Sequence, residues 1–179
     1  MRTELKYGLI IGLLSAAWVM GEYAAGLHTD LIEYHPIVTW FGMLIPIIGI
    51  VLALKEKRAL QGNSLTYGQG VLTGFIVSVI TALIGSLFFY IYIEIINPDF
   101  FPAMIAGARD QAETAGLDAD MARKNAEMYF NMKSYLMQTF FGSIIFGLVV
   151  SLIAAAILRR DPVKPKDDLE AGANFSAIK

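Results

Sequence analysis

The sequence predicts an all-α integral membrane four-helix bundle, built from two hairpins with both termini inside. Three observations carry that prediction. Four apolar stretches, about residues 7–27, 37–54, 70–96 and 135–158, are each long enough to cross a bilayer. Lys and Arg gather at alternate ends of those stretches. The remaining polar residues concentrate in one segment, 99–134, and in a tail, 161–179. A hydrocarbon core of about 30 Å, divided by a helical rise of about 1.5 Å, requires about 20 apolar residues. Helices of a soluble domain carry a charged face, and these stretches show none. Composition agrees, with 56% hydrophobic and 17% charged residues and a mean hydropathy of +0.56. A net charge of −2 without a basic patch excludes nucleic acid as a partner, because phosphates must be neutralised. Cysteine is absent, which removes disulfide and thiolate chemistry.

The first span follows Arg2 and Lys6. It is expected to be retained rather than cleaved as a signal peptide, since it exceeds a usual h-region and carries Gly8, Gly12 and Trp18. The connection 27–36 has no Lys or Arg, whereas Lys55, Lys57 and Arg58 follow the second span and Arg159 and Arg160 the fourth. The positive-inside rule then places both termini of this multi-pass chain in the cytoplasm. Tyr23, Tyr34, Trp40, Tyr90, Tyr92, Tyr129 and Tyr135 fall near the outer boundary, where amphipathic rings are favoured, and Tyr7 and Tyr67 near the inner one. Pro46 in the second span lacks an N–H and crowds the carbonyl of Gly42, so a kink is expected there.

Thr66 and Gln69 have the spacing of a capping box before the third span. Asn97-Pro98-Asp99 ends that span, because Pro98 cannot extend the helical ladder. The segment 99–134 is an extracytoplasmic amphipathic helical insert. Pro102 suits its first turn, Gly116 stops it, and Asp118 or Asp120 caps a second helix that is expected to run straight into the fourth span. The tail 161–179 is polar and proline-bearing and reads as disordered and cytoplasmic, leaving 1–160 as a single membrane domain. Lys6-Tyr7-Gly8 and Thr66-Tyr67-Gly68 echo each other, but three positions do not establish a duplication.

Small residues recur every four positions at Gly70, Gly74, Ser78, Ala82 and Ser86, and again at Ser143, Gly147, Ser151 and Ala155. A shorter stripe, Gly8, Gly12 and Ala16, lies in the first span. Such stripes allow close backbone approach in lipid, so the third and fourth spans are expected to pack on each other or on a partner along them. Glu22 is the costliest residue in the chain, an ionisable group about 22 Å along a helix started at Tyr7. It is the candidate functional carboxylate, and Lys133 is a cation that could neutralise it. His28, Asp30, Glu33 and His35 crowd the outer connection, and Met104, Met121, Met128, Met132 and Met137 cluster in or beside the insert. These residue types bind zinc or copper, but their spacing fits no established pattern, and no metal or cofactor is assigned. Met is ordinary adaptable packing at an apolar interface.

The run Gly62-Asn63-Ser64-Leu65-Thr66-Tyr67-Gly68-Gln69-Gly70 is followed by Thr73-Gly74 and then by Tyr92 through Ile96-Asn97-Pro98-Asp99-Phe100. Together these resemble a family of small bacterial membrane proteins catalogued as domain-of-unknown-function family 4199. The resemblance covers about residues 3–160, with Asn97 standing where members often have Asp. It implies four membrane helices with a helical insert before the fourth and a bacterial inner-membrane location. It implies no activity, so no catalytic residue follows from it.

No nucleophile–base pair, phosphate loop or cofactor fingerprint appears, and the chain is not expected to be an enzyme. The expected role is an accessory, scaffold or regulatory subunit in the lipid bilayer, acting through helix packing and its outer cap. Its partner is another membrane protein or a second copy of the chain. The alternative is a small-solute transporter or channel, working as a homo-oligomer with Glu22 near a cavity.

Overall fold

The computed structural model describes residues 2–29 and 31–160. The expectation of a disordered tail at 161–179 lies outside them. Helix is the only regular element among the described residues, and four helical stretches are long and apolar enough to cross a membrane: Thr3–Ala24, Ile32–Leu60, Tyr67–Ile96 and Met132–Leu158.

Helix α1 (Thr3–Ala24) ends in a glycine turn. Gly26 takes a φ of +78°, its N–H bonds to the Tyr23 carbonyl, and the Leu27 N–H bonds back to the Glu22 carbonyl. A side chain resists that left-handed backbone, and glycine does not. A short 3₁₀ turn (Ile32–Tyr34) leads to α2 (His35–Gly42), followed after Met43 by α3 (Leu44–Leu60). The break lies four residues before Pro46, at the carbonyl that a proline ring crowds. The second span is therefore two helices rather than one bent rod.

Helix α4 (Tyr67–Ile91) starts at the expected capping box: Thr66 Oγ1 accepts from the Gln69 N–H, and Gln69 Oε1 accepts from the Thr66 N–H at 2.9 Å. Its last turn widens into a π-helical segment, Tyr92–Ile96, closed by a bond from the Asn97 N–H to the Tyr92 carbonyl. Pro98 then turns the chain into α5 (Phe100–Thr114), which Gly116 stops at φ +68°. Asp118 caps α6 (Ala119–Tyr129) by accepting from the Met121 N–H. Helix α6 does not continue into the fourth span as expected. Phe130 and Asn131 leave helical geometry, and Asn131 Oδ1 caps α7 (Met132–Leu158) by accepting from the Ser134 N–H. Asn satisfies a free helix-start N–H well, so the chain gains a cap at the corner instead of a longer rod.

Helices α4 and α7 share the most extensive interface; α1 packs on α4, and α3 lies against α1 and α7. One core joins Ile11, Ile50, Leu54, Leu65, Val77 and Ala155. Beside it, Leu65 and Arg160 exchange two backbone hydrogen bonds of 2.8 Å. The start of α1 and the end of α3 meet at this same end through Lys6–Glu56 and Lys57–Glu4 ion pairs. A second core lies at the opposite end, where Tyr92, Ile93, Phe100 and Met104 pack with residues of α1 and α7 under the α5–α6 cap. Outward positions such as Leu13, Leu83, Ile145 and Ile157 are apolar and more than half exposed, a surface suited to lipid.

Candidate functional site

Glu22 lies in the last turn of α1, only 4% exposed. Four residues earlier on the same face, Trp18 donates its indole N–H to Glu22 Oε1 at 2.7 Å. The indole can sit there because Gly42 has no side chain; a Cβ at Gly42 would lie 2.9 Å from it. Thr39, one turn into α2, donates to the same Oε1 at 3.0 Å. Two donors thus fix one carboxylate oxygen and leave Oε2 to other partners.

Those partners are imidazoles. The turn at Gly26 folds the chain back so that His28, 1% exposed, presents Nε2 3.5 Å from Glu22 Oε2. His35 opens α2 with Pro36 in its first turn and brings its own Nε2 to 3.9 Å from the same oxygen. His28 is wedged between rings: His35, Phe100 and Tyr92 lie 4.8, 5.3 and 5.7 Å away, centroid to centroid. Its Nδ1 shares a short hydrogen bond with the Tyr92 hydroxyl, which also accepts from Asn97 Nδ2 at 2.9 Å. The π-helical turn holds Tyr92 and Asn97 in that relation, since one extra residue per turn rotates Tyr92 inward. His28 Nε2 is buried and has no hydrogen-bond partner.

This arrangement revises several expectations. Lys133 is exposed and does not neutralise Glu22, whose partners are Trp18, Thr39, His28 and His35. The polar residues of the 27–36 connection part ways. Glu33 is exposed, Asp30 is outside the described residues, and among the described ones the two histidines turn in. Tyr92 is fully buried rather than part of an interfacial belt, while Tyr34, Trp40, Tyr90 and Tyr129 stay exposed. Among the insert methionines, Met104 is buried, whereas Met121, Met128 and Met137 are more than half exposed.

The small-residue stripes lie along the α4–α7 seam. A Cβ on Gly70 would lie 2.8 Å from Ala155, one on Gly74 would strike Ser151, and one on Gly147 would strike Ser78. Ser78 and Ser151 donate back to the carbonyls of Gly74 and Gly147, so their hydroxyls are satisfied within their own helices. Ala82 is buried, Ser86 is half-buried, and Ser143 lines a small cavity of about 130 Å³ with Ser78 and Thr81. Glu22 is not on that cavity. It borders a lateral groove of about 370 Å³ between α1, α2 and α7. His35 and Thr39 line a further cavity of about 400 Å³ beneath the cap.

The sequence held the elements of this site without showing their convergence. Trp18 with Glu22 and His35 with Thr39 are i, i+4 pairs, and Gly26 marks the turn that folds His28 back. Tyr92 stood out only as a boundary tyrosine and in the family motif; its contact with His28 depends on a π-helical turn that periodicity does not reveal.

The family model described as "Protein of unknown function (DUF4199)" matches residues 6–160. No curated protein and no solved structure matches the chain.

Proposed function

We propose, for a chain that belongs to the DUF4199 family and inherits no activity from it, a role as an accessory or scaffold subunit of a larger membrane assembly. The observation that carries this reading is the tight packing between the spans. The four spans pack along glycine and serine contacts, and the cavity between them holds about 130 Å³ and excludes Glu22. A transporter or channel needs polar groups lining a route between the two ends, and this cavity is lined mostly by apolar residues, with only the hydroxyls of Ser15, Ser78, Thr81, Thr139 and Ser143. Contacts rather than conduction are left, and the α5–α6 cap with its exposed Leu117, Met121 and Met128 offers them.

The same reading includes orientation. Arg2, Lys6, Lys55, Lys57, Arg58, Arg159 and Arg160 all belong to one end of the bundle, tied by the ion pairs and the Leu65–Arg160 pairing. That basic end faces the cytoplasm of a bacterial inner membrane, and the cap faces outward. Purification in mild detergent with quantitative mass spectrometry tests the role. A stoichiometric membrane partner is expected. A homogeneous homo-oligomer without one would overturn the accessory reading, and flux into liposomes would then decide for transport.

A further inference from the structure

We propose that Glu22, His28 and His35 form a binding site for a divalent transition-metal ion of the zinc type. The ligand atoms of the three residues all lie within 4.8 Å of one another. Around a tetrahedral ion with bonds near 2.1 Å, ligand atoms are separated by about 3.4 Å. The two measured edges, 3.5 Å and 3.9 Å from Glu22 Oε2 to the imidazole Nε2 atoms, are already close to that spacing. The third edge, between the two imidazoles, is no longer than 4.8 Å, and His35, whose side chain is 20% exposed, holds its Nε2 3.3 Å from Thr39 Oγ1.

Three further features point to an ion rather than to a self-contained polar cluster. First, neither imidazole is within good hydrogen-bond distance of Oε2, and His28 Nε2 is left without a partner although it is fully buried. Buried polar atoms are normally satisfied, so an orphan aimed at a carboxylate and a second imidazole calls for a partner. Second, the outer atoms of the ligands are already held. Tyr92 engages His28 Nδ1, and Trp18 with Thr39 engages Glu22 Oε1, which is how metal-binding His and carboxylate ligands are oriented. When Nδ1 donates its proton to the Tyr92 oxygen, Nε2 presents a bare lone pair. Third, the site has an access route. Glu22 borders the lateral groove, and His35 faces the cavity under the cap. Two imidazoles and one carboxylate leave a fourth position for water or a ligand from a partner.

The proposal is independent of the accessory role, and it is tested on the isolated chain. The full-length protein, stripped with a chelator in detergent, is titrated with Zn²⁺ by calorimetry, and loaded samples are examined by X-ray absorption. One ion per chain is expected, with an absorption signature of imidazole nitrogen and oxygen ligands. His35→Gln and Glu22→Gln should keep the elution volume and helical content of the parent chain and weaken binding at least about tenfold; Trp18→Phe should weaken it about tenfold. Glu56→Gln, at the opposite end, should leave it unchanged. Absence of binding to the folded parent chain would overturn the proposal. So would binding of equal strength in the folded His35→Gln and Glu22→Gln variants, or a ligand signature without imidazole.

Discussion

The two ends of the bundle treat their inward-facing carboxylates in opposite ways. At the basic end Glu4 and Glu56 meet Lys57 and Lys6 across helices, with Thr3, Tyr7 and Thr73 adding donors. Those groups are partly exposed, and each acid has a full cation. At the cap end Glu22 is more deeply buried and has no Lys or Arg among its described ion pairs, only two imidazoles at long range. Ionic partners at one end and ligand-type partners at the other mark the first as architecture and the second as a site.

The largest effect should come from the seam that both ends share. Gly74→Leu forces a side chain into Ser151, and Gly147→Leu into Ser78, where the serine Cβ and Oγ atoms and Ile50 already fill the space. Overpacking of this kind costs about 1–3 kcal/mol and more where backbone must move, so either variant should lower the thermal midpoint and disturb both ends together. Unfolding followed by scanning fluorimetry and size-exclusion chromatography reads this. A variant that lost one end and kept the other would show that the ends are held independently.

That seam was largely legible in the sequence, and the site was not. Small residues every four positions declare a helix contact because the 3.6-residue period is local and repetitive. Capping at Thr66, stopping at Gly116 and the break before Pro46 were readable for the same reason: each depends on a few adjacent residues. Glu22 could be singled out by its cost in an apolar span, but its partners come from a glycine turn, a second helix start and a π-helical turn. None of these leaves a periodic trace. The break at Asn131 was missed because a cap residue inside an otherwise helical pattern resembles an ordinary polar helix position.

The next effect separates the ends by a single hydroxyl. Tyr92→Phe removes the oxygen that joins His28 Nδ1 to Asn97 Nδ2, and both side chains are buried. Leaving buried polar groups unpaired costs about 1–3 kcal/mol. Tyr7→Phe removes a phenol that donates to Glu56, an acid still held by Lys6, and should cost less. Thermal midpoints of the two variants, measured without metal, sharpen the contrast. An equal loss would mean that the cap-end network is no more confined than the basic end.

The smallest effects should differ in sign. Glu4→Gln breaks the 2.7 Å pair with Lys57, which is partly exposed, and should cost about 1 kcal/mol or less. High salt should shrink that cost, because screening has already weakened the pair in the parent chain. Glu22→Gln in the metal-free protein has a different balance. The amide oxygen still accepts from Trp18 and Thr39, the amide N–H₂ faces the unpartnered His28 Nε2, and a buried charge is removed. The variant should therefore be as stable as the parent chain or more so, with no dependence on salt, while metal binding is lost. A stability loss at Glu22 as large as that at Glu4, and equally relieved by salt, would make the two ends alike and reduce Glu22 to one more structural ion pair.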